Sequence, residues 1–214
     1  MMIRNAKWLV VFLAAGCSSS AAPAGPAGPG SPAAAEDAGA LPAAAAPDVA
    51  GRWKSACTPS TAPQAFTLDF TIADPAWSVD YAVYADAACA EKLLTVHIEG
   101  TYAIGAPSAV AGAYDARFAF TRKVVTPHVD AATQLLASPE GCARDGFVTG
   151  APTDVSDAGC AGLGQRPVAA CPADYDIVRV ADGGLTFGLR PADNDMCTPD
   201  KRPKALAPVT SGRT

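Results

Sequence analysis

The chain has 214 residues, of which 50% are hydrophobic, and a formal net charge of −5 at pH 7. Its lysines and arginines form no cluster or stripe, so we expect no nucleic acid as a partner. It contains only two histidines and no Cys-x-x-Cys pair, so we expect neither a zinc site nor another metal or cofactor.

The first 16 residues have the pattern of a secretory signal peptide, because Arg4 and Lys7 precede a short apolar run over residues 8–15. A helix that spans a bilayer needs roughly 20 apolar residues, about twice the length of this run. The segment Leu-Ala-Ala-Gly-Cys that ends at Cys17 resembles the lipobox of bacterial lipoproteins. The resemblance implies cleavage before Cys17 and acylation of its thiol, for example with palmitate. We therefore expect a lipid-anchored protein of the cell envelope, at the outer membrane or on the periplasmic side.

Residues 17–49 are expected to tether the folded part to the membrane. Residues 21–50 contain 14 alanines, 6 prolines and 4 glycines and show no apolar periodicity. Such a composition is typical of a flexible, partly extended spacer.

The seven cysteines leave an even number once Cys17 is assigned to the lipid, which predicts three disulfides in an oxidising compartment. Six cysteines permit 15 pairings, and the sequence does not choose among them. Nearness along the chain favours Cys142 with Cys160 and Cys171 with Cys197.

Residues 50–206 are predicted to form a single, mostly antiparallel β domain, followed by a tail over residues 207–214. Apolar side chains alternate with polar ones in four segments, which is the pattern of strands with one buried face. These segments are 66–72, 77–83, 94–104 and 114–120.

The second half of the domain carries weaker signals. Asp182-Gly183 between two short apolar segments predicts a tight hairpin. Thr126 and Pro127 suit the start of a helix whose apolar stripe includes Leu136. Residues 138–172 are rich in glycine, proline and cysteine and predict a loop pinned by disulfides.

Chemistry-bearing motifs are sparse, and we expect no enzyme. The sequence has no Gly-x-Ser-x-Gly nucleophile elbow. His97 with Glu99 and His128 with Asp130 are possible acid–base pairs, but exposed histidines are commoner. The run 193–195 offers oxygen ligands for calcium, but it lacks the glycine and distal glutamate of an EF-hand loop, so a turn is the simpler interpretation.

The aromatic side chains of the alternating strands are the candidate ligand-binding residues, because small barrels and curved sheets can hold one apolar ligand. The same alternation also fits a filled core. The candidates are Trp53, Phe66, Phe70, Trp77, Tyr81, Phe118 and Phe120.

The folded part resembles the adenomatosis polyposis coli down-regulated 1 domain, which occurs in a Wnt-inhibiting animal protein and in bacterial lipoproteins. The matching residues are Gly51, Trp53, Ser55, Cys57, Tyr81, Tyr84, Asp86, Cys89, Gly100, Tyr102, Gly105 and Ser108, with a looser match near the C-terminus at Leu185, Phe187, Gly188, Arg202, Pro203 and Leu206. The resemblance implies a curved antiparallel sheet or half-barrel around an apolar pocket for lipid or acyl chains. It also implies a disulfide between Cys57 and Cys89.

The chain departs from the animal protein in having one copy of the domain and no C-terminal membrane helix, so Wnt itself is not the expected partner. Gly51-x-Trp53 also resembles the lipocalin signature, although Trp53 can equally serve as a core plug. We therefore expect a non-catalytic envelope lipoprotein that binds a hydrophobic ligand or an acylated partner. The alternative is a structural or protein-interaction lipoprotein with a filled core; the oligomeric state is not predicted.

Overall fold

A computed structural model describes residues 46–214; the signal peptide, Cys17 and nearly all of the tether lie outside these residues. Most of the regular secondary structure of the described chain is β-strand. The strands are β1 (Gly51–Ser55), β2 (Thr58–Pro59), β3 (Ala65–Ala73), β4 (Ala76–Tyr84), β5 (Lys92–Pro107), β6 (Tyr114–Pro127), β7 (Thr153–Asp154), β8 (Ala173–Ala181), β9 (Gly184–Gly188) and β10 (Leu206–Arg213). The helix α1 (Asp130–Ala137) and two short 3-10 turns, Ala161–Leu163 and Pro199–Lys201, complete the secondary structure.

Eight of the strands close into an antiparallel barrel. The strand order is β1-β10-β9-β8-β6-β5-β4-β3, and β1 pairs with β3 as well as with β10. The short strands β2 and β7 add to β3 and β6. The predicted mainly β fold with one helix is confirmed, and the sheet curves until its two edges meet.

The C-terminal boundary predicted at residue 206 is wrong. Residues 206–213 form β10, which pairs with both β9 and β1. These pairings close the sheet, so the segment predicted as a tail is an essential strand of the barrel.

A sharp corner in the barrel wall requires Gly100. The register of β5 on β6 shifts between Glu99 and Gly100, which marks a β-bulge. A Cβ atom built on Gly100 would lie 1.8 Å from the carbonyl oxygen of Ala119, so no larger residue fits. The indole nitrogen of Trp77 donates a hydrogen bond to that same carbonyl oxygen at 3.1 Å.

The helix begins later than predicted. Thr126 and Pro127, expected at its start, belong to β6 and pair with β5. Val129 is the N-cap of α1, and Leu136 buries its side chain against the barrel. The strand extends to Pro127 because β5 offers it pairing partners as far as Leu94.

Disulfide bonds connect the cysteines of the described residues in the pairing that nearness along the chain and the family resemblance favoured. The disulfides join Cys57 to Cys89, Cys142 to Cys160, and Cys171 to Cys197. The second of these crosses the predicted loop over residues 138–172. The predicted hairpin is also present, with positive φ angles at both Asp182 and Gly183.

Candidate functional site

The seven predicted ligand-binding side chains point into the barrel but do not form one group. A first buried cluster contains five of them: Trp53, Phe70, Trp77, Phe118 and Phe120. Tyr81 packs against a second cluster beneath α1, and Phe66 lies beside it with ring centroids 5.5 Å apart.

The aromatic rings of the first cluster contact one another across the barrel. Phe70 on β3 stacks on Phe187 on β9, with ring centroids 4.5 Å apart. Phe187 in turn lies 5.6 Å from Phe118, and Phe118 meets the edge of Trp77 at 5.0 Å. Because these rings come from opposite walls, they occupy the space in which an acyl chain was expected. The first cluster is therefore a packed core.

Trp53 closes one end of the barrel. Its side chain is 1% exposed, and its indole nitrogen donates to the carbonyl oxygen of Val49 at 2.8 Å. The guanidinium of Arg213 lies 4.6 Å from the Trp53 ring centroid and also donates to the carbonyl oxygen of Ala50. A cation–π contact between Arg213 and Trp53 thus links the last barrel strand to the first, and Trp53 acts as a core plug.

A strip of apolar side chains near the other end stays partly exposed. It consists of two cross-strand pairs, Phe66 with Val83 and Leu68 with Tyr81, and we call it the mouth strip. Burial raises the pKa of the Tyr81 hydroxyl. Within the mouth strip, Leu68 packs against the first cluster, and Tyr81 and Val83 pack against the second.

Lys123 was not expected inside the barrel. Its side chain is 3% exposed, and its ammonium lies 4.1 Å from the Phe120 ring centroid. The ammonium donates to the carbonyl oxygen of Arg166 at 3.1 Å. Burial lowers the pKa of Lys123 to about 8, while the carboxylate of Asp174 opposes that shift.

Two aspartates of β8 also point inward. Asp174 accepts a hydrogen bond from the guanidinium of Arg190 at 2.6 Å. Asp176 is 4% exposed, and its Oδ1 accepts from the backbone N–H groups of Ile177 at 2.7 Å and Gly188 at 2.9 Å. Burial raises the pKa of Asp176 to about 7, although the charge of Arg190 opposes the rise. One side of the barrel interior is therefore polar and charged.

His97 lies on the outer wall, away from any enclosed site. Its Nδ1 is 2.7 Å from a carboxylate oxygen of Asp80, and its Nε2 is 3.5 Å from Glu99. Glu99 also forms an ion pair with Arg122, and Arg122 binds Asp154 at 3.0 Å. His97 is thus one member of an exposed ladder of ion pairs across β4, β5, β6 and β7.

His128 is held by a hydroxyl group and not by the expected carboxylate. Its Nε2 lies 2.9 Å from the Thr95 hydroxyl. Burial and the positive charge of Lys92 lower the pKa of His128. The carboxylate of Asp130 accepts instead from Thr149 at 2.6 Å. His128 therefore reaches a threonine hydroxyl, but Asp130, the carboxylate expected to orient its ring, is bound to Thr149 instead.

The acidic run 193–195 forms a turn that carries its own positive partners. The backbone N–H of Asp195 donates to the carboxylate of Asp193 at 3.1 Å. The carboxylate of Asp195 is bound by Arg166 at 3.1 Å and by Lys201. These contacts account for the run without a bound cation.

Two open clefts lie on the outside of the barrel. One, of about 280 Å³, sits at the Gly100 corner and is lined mainly by small and hydroxyl-bearing residues with Glu99 and Trp77. The other, of about 290 Å³, lies between the turn at Asp193 and the loop around Arg166. Of the seven predicted ligand-binding residues, only Trp77 lines either cleft.

Within the described residues no helix is both long and apolar enough to cross a bilayer. Neither a family model nor a curated protein matches the chain.

Proposed function

We propose that the chain is a lipid-anchored envelope protein whose filled barrel acts without catalysis, through its outer surface, on another protein of the envelope. The observation that carries this proposal is the stack of rings from Phe70 to Trp77 across the barrel. A core packed in this way leaves the outer wall and its loops as the surfaces available for recognition.

The envelope location is supported by the N-terminal pattern and by the disulfides. Three disulfides are typical of domains that fold in an oxidising compartment. Anchoring is tested by Cys17→Ser, with Ser18→Ala as the control, in cells given a clickable palmitate analogue. We expect Cys17→Ser to abolish labelling and release the protein from membranes. Labelling that persists in this variant would overturn the anchor.

The absence of catalysis is proposed from the environment of the two histidines. His97 is engaged by carboxylates on the exposed wall, and His128 by a threonine hydroxyl. A nucleophilic mechanism needs a base in hydrogen-bond reach of a serine, cysteine or threonine nucleophile, oriented by a third group. The cysteines of the described domain are all consumed in disulfides.

The surface role is tested by photo-crosslinking in intact envelopes. A photoreactive residue is placed at Ser78, in the cleft at the Gly100 corner, at Val148, which is 60% exposed, or at the buried Phe118 as the internal control. We expect one or more discrete crosslinked protein bands from the surface positions and none from Phe118. Crosslinks to lipid alone would contradict the proposal.

A second candidate function, binding of a hydrophobic chain, is favoured by the mouth strip alone. Native mass spectrometry of the Cys17→Ser protein with a long-chain fatty acid tests it. Leu68→Lys on the strip is compared with Thr67→Lys, its neighbour on the opposite strand face. A fatty-acid adduct that only Leu68→Lys abolishes would establish this second function; the filled core predicts no adduct.

A further inference from the structure

The chain between β9 and β10 forms a strap that packs against β8, and we define the strap as residues 189–205. Its two ends meet, because the N–H of Leu189 donates to the carbonyl oxygen of Ala205 at 2.8 Å. The disulfide of Cys197 with Cys171 ties down its middle. The fully buried Met196 accepts a backbone hydrogen bond from Tyr175 of β8 at 2.8 Å.

Asp176 lies at the root of this strap. Its carboxyl oxygen and the ring of Pro203 both crowd Gly188, the last residue of β9. A Cβ atom built on Gly188 would lie 2.5 Å from Asp176 Oδ1 and 2.6 Å from Pro203. The guanidinium of Arg202 donates to the carbonyl oxygen of Asp176 at 3.0 Å. The buried carboxyl group therefore binds the residue that immediately precedes the strap, and Arg202 of the strap binds the backbone of Asp176.

The charged groups around Asp176 do not neutralise it. The positive charge of Arg190, in the strap, lowers the pKa of Asp176, but its guanidinium already binds Asp174 at 2.6 Å. Arg202 forms its ion pair with Asp115 of β6 at 3.3 Å. Lys123 of β6 faces Asp174 from the other side. Asp176 is left with two backbone N–H donors, both on Oδ1.

We propose that Asp176 is a proton-controlled latch: its neutral carboxyl group keeps the strap closed, and its ionisation favours opening of the strap. An open strap uncovers the ring of Tyr175 on β8, over which the guanidinium of Arg202 lies at 5.8 Å in the closed state. The opening is local, because the other barrel strands keep their ladder of hydrogen bonds.

The direction follows from the pKa of Asp176, which burial raises from 3.8 to about 7. The closed state therefore binds the proton more tightly than an open state in which water reaches the carboxyl group. The proton on Asp176 stabilises the closed strap fully below pH 3.8, the ordinary pKa of the carboxyl group, and this stabilisation is lost as pH rises through about 7. Between these limits the equilibrium constant for opening rises roughly tenfold per pH unit, which is on the order of fiftyfold between pH 5 and 7.

Hydrogen exchange of the intact chain at pH 5, 6 and 7, corrected for the intrinsic pH dependence of amide exchange, tests the latch. The amides of Leu189 and Tyr175 report the strap, and those of β4 and β5 report the barrel. Asp176→Asn removes the titrating group, and Asp182→Asn in the exposed hairpin turn is the matched control.

We expect the strap amides of the natural chain and of Asp182→Asn to open on the order of fiftyfold more at pH 7 than at pH 5. In Asp176→Asn this dependence should vanish while the barrel amides of all three proteins stay protected. An equal pH dependence in Asp176→Asn, or opening of the strap only together with β4 and β5, would overturn the proposal. If Asp176→Asn does not fold, the pH dependence of the natural chain still decides, because a pH-independent strap refutes the latch.

Discussion

The packed core makes a sharp prediction for Phe70→Ala. Phe70 is 6% exposed, and its ring stacks on Phe187 at 4.5 Å. Truncation of a buried phenylalanine removes its transfer free energy and leaves a cavity, at a cost of about 3–5 kcal/mol. For a domain of this size each kcal/mol corresponds to about 2–4 °C, so we expect the melting temperature to fall by about 10 °C. Urea unfolding followed by tryptophan fluorescence measures the free energy directly.

Three further variants make the Phe70 experiment decisive. Phe187→Ala and the double variant give the coupling between the two rings, which should be about 0.5–1.5 kcal/mol for an aromatic pair in contact. Val148→Ala, at an exposed apolar position, should change stability by less than about 0.5 kcal/mol. A cost below about 1 kcal/mol for Phe70→Ala, with loss of a bound lipid, would show that Phe70 lines a cavity and would refute the filled core.

Two more substitutions test the barrel wall and its buried charge. Gly100→Ala should unfold the domain or cost at least about 4 kcal/mol, because the added Cβ would overlap the Ala119 carbonyl oxygen. Gly212→Ala, where a Cβ meets nothing within 4 Å, is the control. Similar melting curves for the two variants would contradict the requirement for glycine at position 100. Lys123→Met should stabilise the protein at pH 7 by about 1–2 kcal/mol. Burial of the ammonium destabilises the folded state, as its pKa, lowered from 10.5 to about 8, indicates. The contacts that the ammonium makes are lost in the variant and offset part of the gain. That gain should shrink as pH rises from 8 towards 10.5, where the folded natural chain loses its ammonium charge first; a gain independent of pH in denaturant titrations would contradict the burial argument.

The strands with clean alternation were predictable from the sequence. Segments 66–72 and 77–83 lie within β3 and β4, and the residues expected to face inward do so. These segments were readable because a strand with one buried face must repeat every second residue. The Asp182-Gly183 turn was readable for a local reason as well, since few residue pairs adopt its positive φ angles.

The inward orientation of Lys123 could not be read from this pattern. The bulge opposite Gly100 shifts the phase of β6, so that Phe120 and Lys123 both face the interior although they are three residues apart. A two-residue period carried through the whole strand assigns Lys123 to solvent. A glycine that follows an alternating run was the available signal for such a shift.

The charge inside the barrel depends on contacts that are distant in sequence. Asp174 and Asp176 precede an apolar stretch and look like ordinary polar positions of an edge strand. Their burial results from the strap, which brings Arg190 and Arg202 against β8. The strap itself has no periodic signal.

The sequence by itself determined the features that local chemistry controls: the candidate acylation site at Cys17, the alternation of the strands, the hairpin turn and the even number of remaining cysteines. Only the tertiary structure decided whether the alternating rings surround a void. Strands of the same pattern can curve around empty space or bring opposite walls into contact, and the distance between those walls depends on closure. Closure is set here by the pairing of β1 with β3 and β10, and that pairing joins residues from the two ends of the domain.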